Sequence, residues 1–192
     1  MLILVRHGET EANARGLLSG RVDSALSEKG RRQAARVATA LGRRDPETRV
    51  ISSPLARTVA TAEIIAGDVG KIEIDERWIE LDYGELDGTA LTAVPEETWA
   101  RWRADPDFIP AGGESLRACG ARVAEACTEL LVDAAERDVV VVTHVSPIKA
   151  AAVWAMGVGD EVTWRLYVAP GSITRIGCRP HGPVLLSFNE TR

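Results

Sequence analysis

The run Asp138-Val139-Val140-Val141-Val142-Thr143 constrains the fold more than any other feature of the chain. Consecutive valines favour extended backbone, and their apolar side chains point alternately to opposite sides. Such a strand is stable only when both of its faces are covered, which is the situation in parallel sheets flanked by helices. Leu2-Ile3-Leu4-Val5 has the same character, Arg49–Ser52 is a shorter instance, and Lys71–Asp75 is a further one. Stretches of helical periodicity lie between these runs. Ser27 caps a helix whose apolar positions are Ala34, Val37, Ala38 and Leu41, and Pro54 opens a helix running to about Ala66. Leu116, Cys119, Val123, Cys127 and Leu130 mark a strong amphipathic helix, so both cysteines read as core. Ser146 and Pro147 form a cap and first turn for the last helix.

This alternation predicts a three-layer α/β/α fold around a mostly parallel central sheet, with residues 1–192 as a single domain. The segment from Trp78 to Gly113 breaks the pattern. It is rich in Pro, Gly, Asp and Trp and reads as an excursion over about 78–113, with one short helix around Glu96–Arg103. Ile173–Cys178 and Val184–Phe188 read as a hairpin that turns at Pro180-His181-Gly182-Pro183, which leaves His181 without a chemical role.

Composition narrows the classes of function. Charged residues make up 27% of the chain and the net charge is −5, against the basic balance expected of a nucleic-acid binder. Any cationic pocket must therefore be local, and arginine supplies 20 of the 23 cations. The three cysteines form no C-x-x-C pair and the three histidines no H-x-H or H-E-x-x-H, so a zinc or other metal site is not expected. No apolar stretch approaches the roughly 20 residues that span a bilayer. The chain therefore reads as cytoplasmic, with neither nucleic acid nor membrane as partner, and Asn189-Glu190-Thr191 carries no weight as a glycosylation acceptor. Gly67-Asp68-Val69-Gly70-Lys71 lacks the spacing of a phosphate-binding loop and reads as a turn. The oligomeric state is open, a homodimer included.

Two of the three histidines stand where strands stop. Arg6-His7-Gly8 follows the first strand, and Thr143-His144 ends the valine strand. In open α/β sheets ligands bind beyond the carboxyl ends of the strands. The first motif extends through Arg6-His7-Gly8-Glu9-Thr10-Glu11-Ala12-Asn13. Gly20-x-x-Asp23 then leads into Leu26-Ser27-x-x-Gly30-x-x-Gln33-Ala34. Ser52-Ser53-Pro54-Leu55-Ala56-Arg57-Thr58-Val59-Ala60-Thr61-Ala62 marks another strand-to-helix turn. Glu80-Leu81-Asp82-Tyr83-Gly84 with Gly88, and Gly112-Gly113-Glu114-Ser115, complete the series. In these motifs and their order the chain resembles the histidine phosphatase superfamily, also called phosphoglycerate mutase-like, in its phosphatase branch.

The resemblance implies a phosphoglycerate mutase-like fold and a metal-independent phosphomonoester hydrolase of histidine acid phosphatase type, with no cofactor. It implies that His7 attacks phosphorus and carries a transient phosphohistidine. Such a nucleophile needs an unprotonated ring nitrogen, its tautomer fixed by a hydrogen bond from the other nitrogen. Arg6 and Arg57 would offer planar donor forks to the phosphate oxygens, and a protonated His144 a third cationic donor. Thr10, Asn13, Ser19, Gly20 and Tyr83 correspond to substrate- or phosphate-contacting positions. The turns after Ser53 and after His144 are expected to aim backbone N–H groups at the same rim. Glu80 matches the family's acid/base carboxylate, with Asp82 as the local alternative. To give a proton to a leaving alkoxide it should be partly buried.

Many relatives follow the second histidine with glycines, whereas Val145-Ser146-Pro147-Ile148-Lys149 follows here. This form resembles bacterial acid phosphatases and α-ribazole-phosphate phosphatase-like members. Pro147 has no N–H, so contacts there fall to Val145, Ser146 or the Ser146 hydroxyl, and Lys149 reads as a rim charge. The implied partner is a small phosphomonoester. Two alternatives stand beside hydrolysis. A cofactor-dependent phosphoglycerate mutase is disfavoured by Leu91, which stands where a lysine would be sought. A catalytically inactive phosphate-binding module is disfavoured because Arg6, His7, Arg57, Glu80 and His144 are all present. Trp99, Trp102 and Phe108 are left between lining the pocket and packing the short helix, and Arg101 and Arg103 are candidates for a second anionic group.

Overall fold

A computed structural model describes residues 1–42, 47–67 and 71–191. The strands are β1 (Leu2–Arg6), β2 (Arg49–Ser52), β3 (Ile72–Ile74), β4 (Val139–Thr143), β5 (Ile173–Arg179) and β6 (Gly182–Glu190). They form one six-stranded sheet in the order β3-β2-β4-β1-β5-β6. β1, β2, β3 and β4 run parallel, whereas β5 and β6 are antiparallel to their neighbours. The helices are α1 (Glu11–Ala14), α2 (Glu28–Leu41), α3 (Ala56–Ala66), α4 (Glu96–Ala104), α5 (Leu116–Glu136) and α6 (Val145–Met156).

The valine strand lies in the middle of the sheet, and its alternation builds both cores. Val139 and Val141 join Leu2, Leu4 and Ile51 against Cys119, Val123, Cys127 and Leu130 of α5 and Ile148 of α6. Val140 and Val142 join Ile3, Val5 and Val50 against Val37 of α2 and Ala62 and Ile65 of α3. Burying each such valine is worth about 1.5–3 kcal/mol relative to exposure. The chain is thus a mixed α/β fold with a mostly parallel sheet between two helical layers.

One close approach sets the geometry after β1. A Cβ on Gly8 would lie 2.2 Å from the Gly30 carbonyl oxygen, and one on Gly30 would lie 2.0 Å from that of Glu9. Only glycine at both positions lets the turn after β1 touch the start of α2 backbone to backbone. Ser27 caps α2 as expected, its hydroxyl accepting from Gly30 N–H at 3.1 Å.

Several boundaries differ from expectation. α3 starts at Ala56, with Pro54 in the turn before it. The Ala56 N–H is taken by the distant Asp23 carboxylate at 2.9 Å, so the cap comes from a loop rather than from local residues. The N-cap position of α6 is His144, whose side chain makes no capping bond, and this places Ser146 and Pro147 inside the first turn. Proline is tolerated there because the first N–H groups have no helical acceptor. β5 and β6 extend closer together than expected, and their turn is Pro180-His181, with His181 exposed. The expected turn at Gly67–Lys71 falls in part on residues 68–70, which lie outside the described residues. The short α1 was not expected; Thr10 and Asn13 make a reciprocal capping box around it. Among the described residues no helix is long and apolar enough to cross a membrane.

The excursion packs rather than dangles. Trp78, Leu81, Val94 and Trp102 are buried in it, and three 3-10 turns (Glu76–Trp78, Gly84–Leu86, Leu91–Ala93) precede α4. Trp102 stacks on Trp99 with centroids 5.8 Å apart and meets Phe108 edge-on at 5.9 Å. Arg101 lies over the Phe108 ring at 4.6 Å and Arg103 pairs with Glu96, so neither cation is turned toward the sheet ends.

Candidate active site

The parallel register delivers the site. Arg6 pairs with Thr143, and Ser52 with Val142, so the three central strands stop level with one another. The next residues are His7, His144 and Ser53. His7 N–H bonds Thr143 O and Ser53 N–H bonds Val142 O, both at 3.0 Å, which carries the pairing one step past the strand ends. The imidazole rings of His7 and His144 consequently meet edge-on, with centroids 5.1 Å apart.

His7 is buried to 3% exposure and lines a cleft of about 540 Å³. Its Nδ1 lies 2.7 Å from the Gly8 carbonyl oxygen, which can only accept. Nδ1 therefore carries the proton, and Nε2 is left with a lone pair. Burial holds the ring well below the ordinary histidine pKa, and the charges of Arg6 and Arg57 push in the same direction. His7 is thus a neutral imidazole at neutral pH.

Arg6 lines the same cleft. One Nη donates to Val168 O at 2.6 Å, while its Nε–H is buried without a partner. Ser19 also lines the cleft, and its hydroxyl is likewise buried and unpaired. Unpaired buried donors on a cleft wall call for a ligand acceptor, and a charged donor suits an oxyanion.

Arg57 and His144 occupy a deeper layer than expected. Arg57 is fully buried, and its fork reaches the carbonyl oxygens of Val22 (3.0 Å), Ser19 (3.2 Å) and Gly20 (2.7 Å). Its Nε–H donates to His144 Nδ1 at 3.3 Å. His144 Nε2 lies 2.7 Å from the Ser53 hydroxyl. With Nδ1 accepting from a guanidinium, His144 is neutral with its proton on Nε2. Burial and the Arg57 charge hold it well below the ordinary histidine pKa. The expected third cationic donor is therefore corrected: this ring is neutral and both of its nitrogens are engaged. Neither residue is part of the cleft lining, so Arg57 fastens the 19–22 loop from behind.

Glu80 is buried to 3% exposure and lines the cleft. Its carboxylate accepts from Leu81 N–H (2.8 Å), Ser146 N–H (3.1 Å) and Val145 N–H (3.1 Å). It sits across the N-terminus of α6, where the helix dipole favours negative charge. The backbone donors of Val145 and Ser146, expected at the phosphate rim, are taken by Glu80, as that of Ala56 at the start of α3 is by Asp23. Both helix starts are closed by carboxylates. Asp82, the alternative to Glu80, instead accepts from Gly84 N–H at 2.9 Å.

The remaining expected contacts separate. Asn13, Ser19 and Tyr83 line the cleft; Thr10 and Gly20 do not. Thr10 is spent on capping α1, and Gly20 N–H binds Asp87 at 2.7 Å. Gly20 also lies so close to the excursion that a Cβ would stand 2.8 Å from Leu81 O. Burial raises the Tyr83 pKa, against the effect of the neighbouring Ser146 side chain. Lys149, half-buried on α6, reaches the lining. Glu9, Leu18, Lys29, Tyr167, Val168 and Pro170 were not singled out in the sequence. The last three belong to the loop before β5, where the prolyl-glycyl pair Pro170-Gly171 marks the turn. Among the described residues no group of three His, Cys, Asp or Glu is placed to hold a metal ion.

Comparison with known proteins places the chain among relatives. The chain is 35% identical over 196 residues to phosphoserine phosphatase 1 of Hydrogenobacter thermophilus, covering 99% of this chain and 92% of that protein. It is 34% identical over 177 residues to a bifunctional protein of Mycobacterium tuberculosis, covering 90% of this chain. There the match spans 49% of the relative, so the chain accounts for about half the length of the mycobacterial proteins it matches. Its fold superposes on a phosphoserine phosphatase from Entamoeba histolytica, crystallised with phosphoserine, at a TM-score of 0.90 and 28% identity. That superposition covers 100% of this chain and 97% of the other. The model of the histidine phosphatase superfamily (branch 1) matches residues 2–191. The chain belongs to the histidine phosphatase superfamily.

Proposed function

We propose that the chain is a phosphomonoester hydrolase that works through a phosphohistidine on His7. The observation that carries the reading is the His7 tautomer. Nδ1–H is held by Gly8 O at 2.7 Å, and the Nε2 lone pair belongs to a ring lining the cleft beside the unpaired Nε–H of Arg6. Nε2 attacks phosphorus in line with the ester oxygen; the N–P bond forms as the P–O bond breaks. Arg6 and the Ser19 hydroxyl stabilise the equatorial oxygens, which gather charge in the transition state. Glu80 acts as the general acid and gives a proton to the departing alkoxide. Its carboxylate then takes a proton from water, which attacks phosphorus, breaks the N–P bond and releases inorganic phosphate. His144 supports His7 through ring contact and is itself oriented by Arg57 and Ser53.

Hydrolysis is favoured over phosphoglycerate isomerisation by the cations of the cleft. Arg6 and Lys149 are taken up by the transferring phosphate, Lys29 is bound to Glu9 at 2.7 Å, and Leu91 stands on the wall, so little is left to retain a second anionic group before re-phosphorylation. Phosphate-labelled substrate, quenched in the steady state, is expected to leave acid-labile label on the wild-type chain and none on His7→Ala. The mechanism uses no metal, so turnover is expected to survive a chelator. Absence of label with turnover intact overturns the covalent route.

A further inference from the structure

A second cavity of about 160 Å³ opens beside the cleft and shares Leu18, Tyr83, Leu91, Val145 and Lys149 with it. Its far wall is Trp99, Trp102 and Trp164, whose rings contact one another with centroids 5.8–6.2 Å apart. Lys149 is the one cation among its described lining residues and stands at the junction with the cleft. The α4 arginines that could have brought a second positive charge are bound elsewhere, to Phe108 and Glu96. Trp102 is 1% exposed, so this wall is held in place by packing.

We propose that this annex receives a ring-sized group from the alcohol part of the substrate, making the preferred substrates phosphomonoesters of alcohols with one six-membered ring close to the phosphate. The proposal rests on the phosphomonoesterase reading above. Size supports it, since an apolar cavity of about 150 Å³ takes up benzene. Continuity supports it too, because the shared residues join the annex to the cleft that holds His7. A ring set against indole faces leaves water and keeps its phosphate between Lys149 and Arg6. A short, doubly anionic substrate would leave the annex unfilled and its apolar walls wet.

The test compares cyclohexylmethyl phosphate with ethyl phosphate, whose leaving alcohols have similar basicity. The corresponding phosphonates are titrated by calorimetry in parallel. The cyclohexylmethyl ester is expected to show a kcat/KM about tenfold to a hundredfold higher, mostly through KM, with a matching ratio in phosphonate Kd. Trp99→Ala is expected to shrink both ratios to under about threefold. Equal constants for ring and ethyl compounds, with hydrolysis intact, overturn the annex while leaving the phosphatase reading in place. So does a kcat/KM for phosphoserine about tenfold above that of the ring ester. Tighter binding of the ring phosphonate with neither ester hydrolysed supports the annex and overturns the hydrolase reading. The wild-type phosphonate ratio decides the matter should Trp99→Ala fail to fold.

Discussion

Arg57 Nε–H donates to His144 Nδ1 across 3.3 Å, and this contact fixes the charge of the second histidine. A guanidinium cannot accept, so the ring must leave Nδ1 bare and turn its remaining proton to Ser53. The same fork ties down three carbonyl oxygens of the loop that carries Ser19 to the cleft. Arg57→Ala empties a fully buried side-chain site and strands these acceptors, two of them only partly buried, and is expected to cost about 3–5 kcal/mol in denaturant unfolding. Arg57→Lys keeps the charge but cannot span all four acceptors with one ammonium, so it should recover less than half of that loss. Full recovery by lysine would show that charge, not fork geometry, is what matters there.

Glu80 closes the N-terminus of α6 with both carboxylate oxygens engaged. Glu80→Gln turns an amide NH₂ toward a backbone N–H and also removes the exchangeable proton. For an alkyl phosphate kcat is expected to fall about 10²- to 10⁴-fold. With p-nitrophenyl phosphate, whose leaving group needs no proton, the fall should be about tenfold or less. Equal losses on both substrates, or a pH–rate profile that keeps the wild-type acidic limb, would remove Glu80 from proton transfer and leave it as a helix cap.

Both buried histidines are held well below their ordinary pKa, chiefly by desolvation. The unfolded chain, with imidazoles near 6.5, binds more protons than the folded chain as pH drops below that value. Stability is therefore fully present above about pH 6.5 and declines below it, by up to about 1.4 kcal/mol per pH unit for each ring. Urea unfolding at pH 7.5 and pH 5.5 should show the decline, and His7→Asn should reduce it. Glu73, Asp75 and Glu114, whose pKa values are lowered, shed their contributions only below the carboxylate range, so the two windows separate. A flat profile between pH 5.5 and 7.5 would contradict neutral burial of the rings.

Local pattern was enough for the parallel half of the fold. Val139–Val142 and Leu2–Val5 could be covered only on both faces, and placing His7 and His144 after them put both rings at one sheet edge. Side-chain capping from afar was not legible. Nothing near Ala56 or Val145 in sequence says that Asp23 and Glu80 will take their N–H groups, and both helix starts were accordingly read as open anion sites. The loop Tyr167–Pro170 was missed for a topological reason. β5 runs antiparallel to β1, which returns the segment before β5 to the carboxyl ends of the parallel strands. The two strand directions give the same hydrophobic pattern, so only the tertiary arrangement reveals that this segment walls the cleft.

That loop is tied to Asn189 near the end of β6, which has φ of 56°, the only positive value among described residues other than glycine. Its side-chain oxygen accepts from Ala169 N–H at 2.7 Å, next to the Val168 carbonyl that receives Arg6 at 2.6 Å. Asparagine tolerates left-handed backbone better than other side chains and here uses its amide to hold the loop. Asn189→Gly keeps the backbone and loses the bond, a cost of about 1 kcal/mol, while Asn189→Ala adds strain for about 2 kcal/mol in all. Both should raise KM about threefold to tenfold through the displaced Arg6 acceptor, with kcat changed less. Equal stability of the two variants would remove the strain argument. An unchanged KM in both would show that the Val168 contact with Arg6 is set without Asn189.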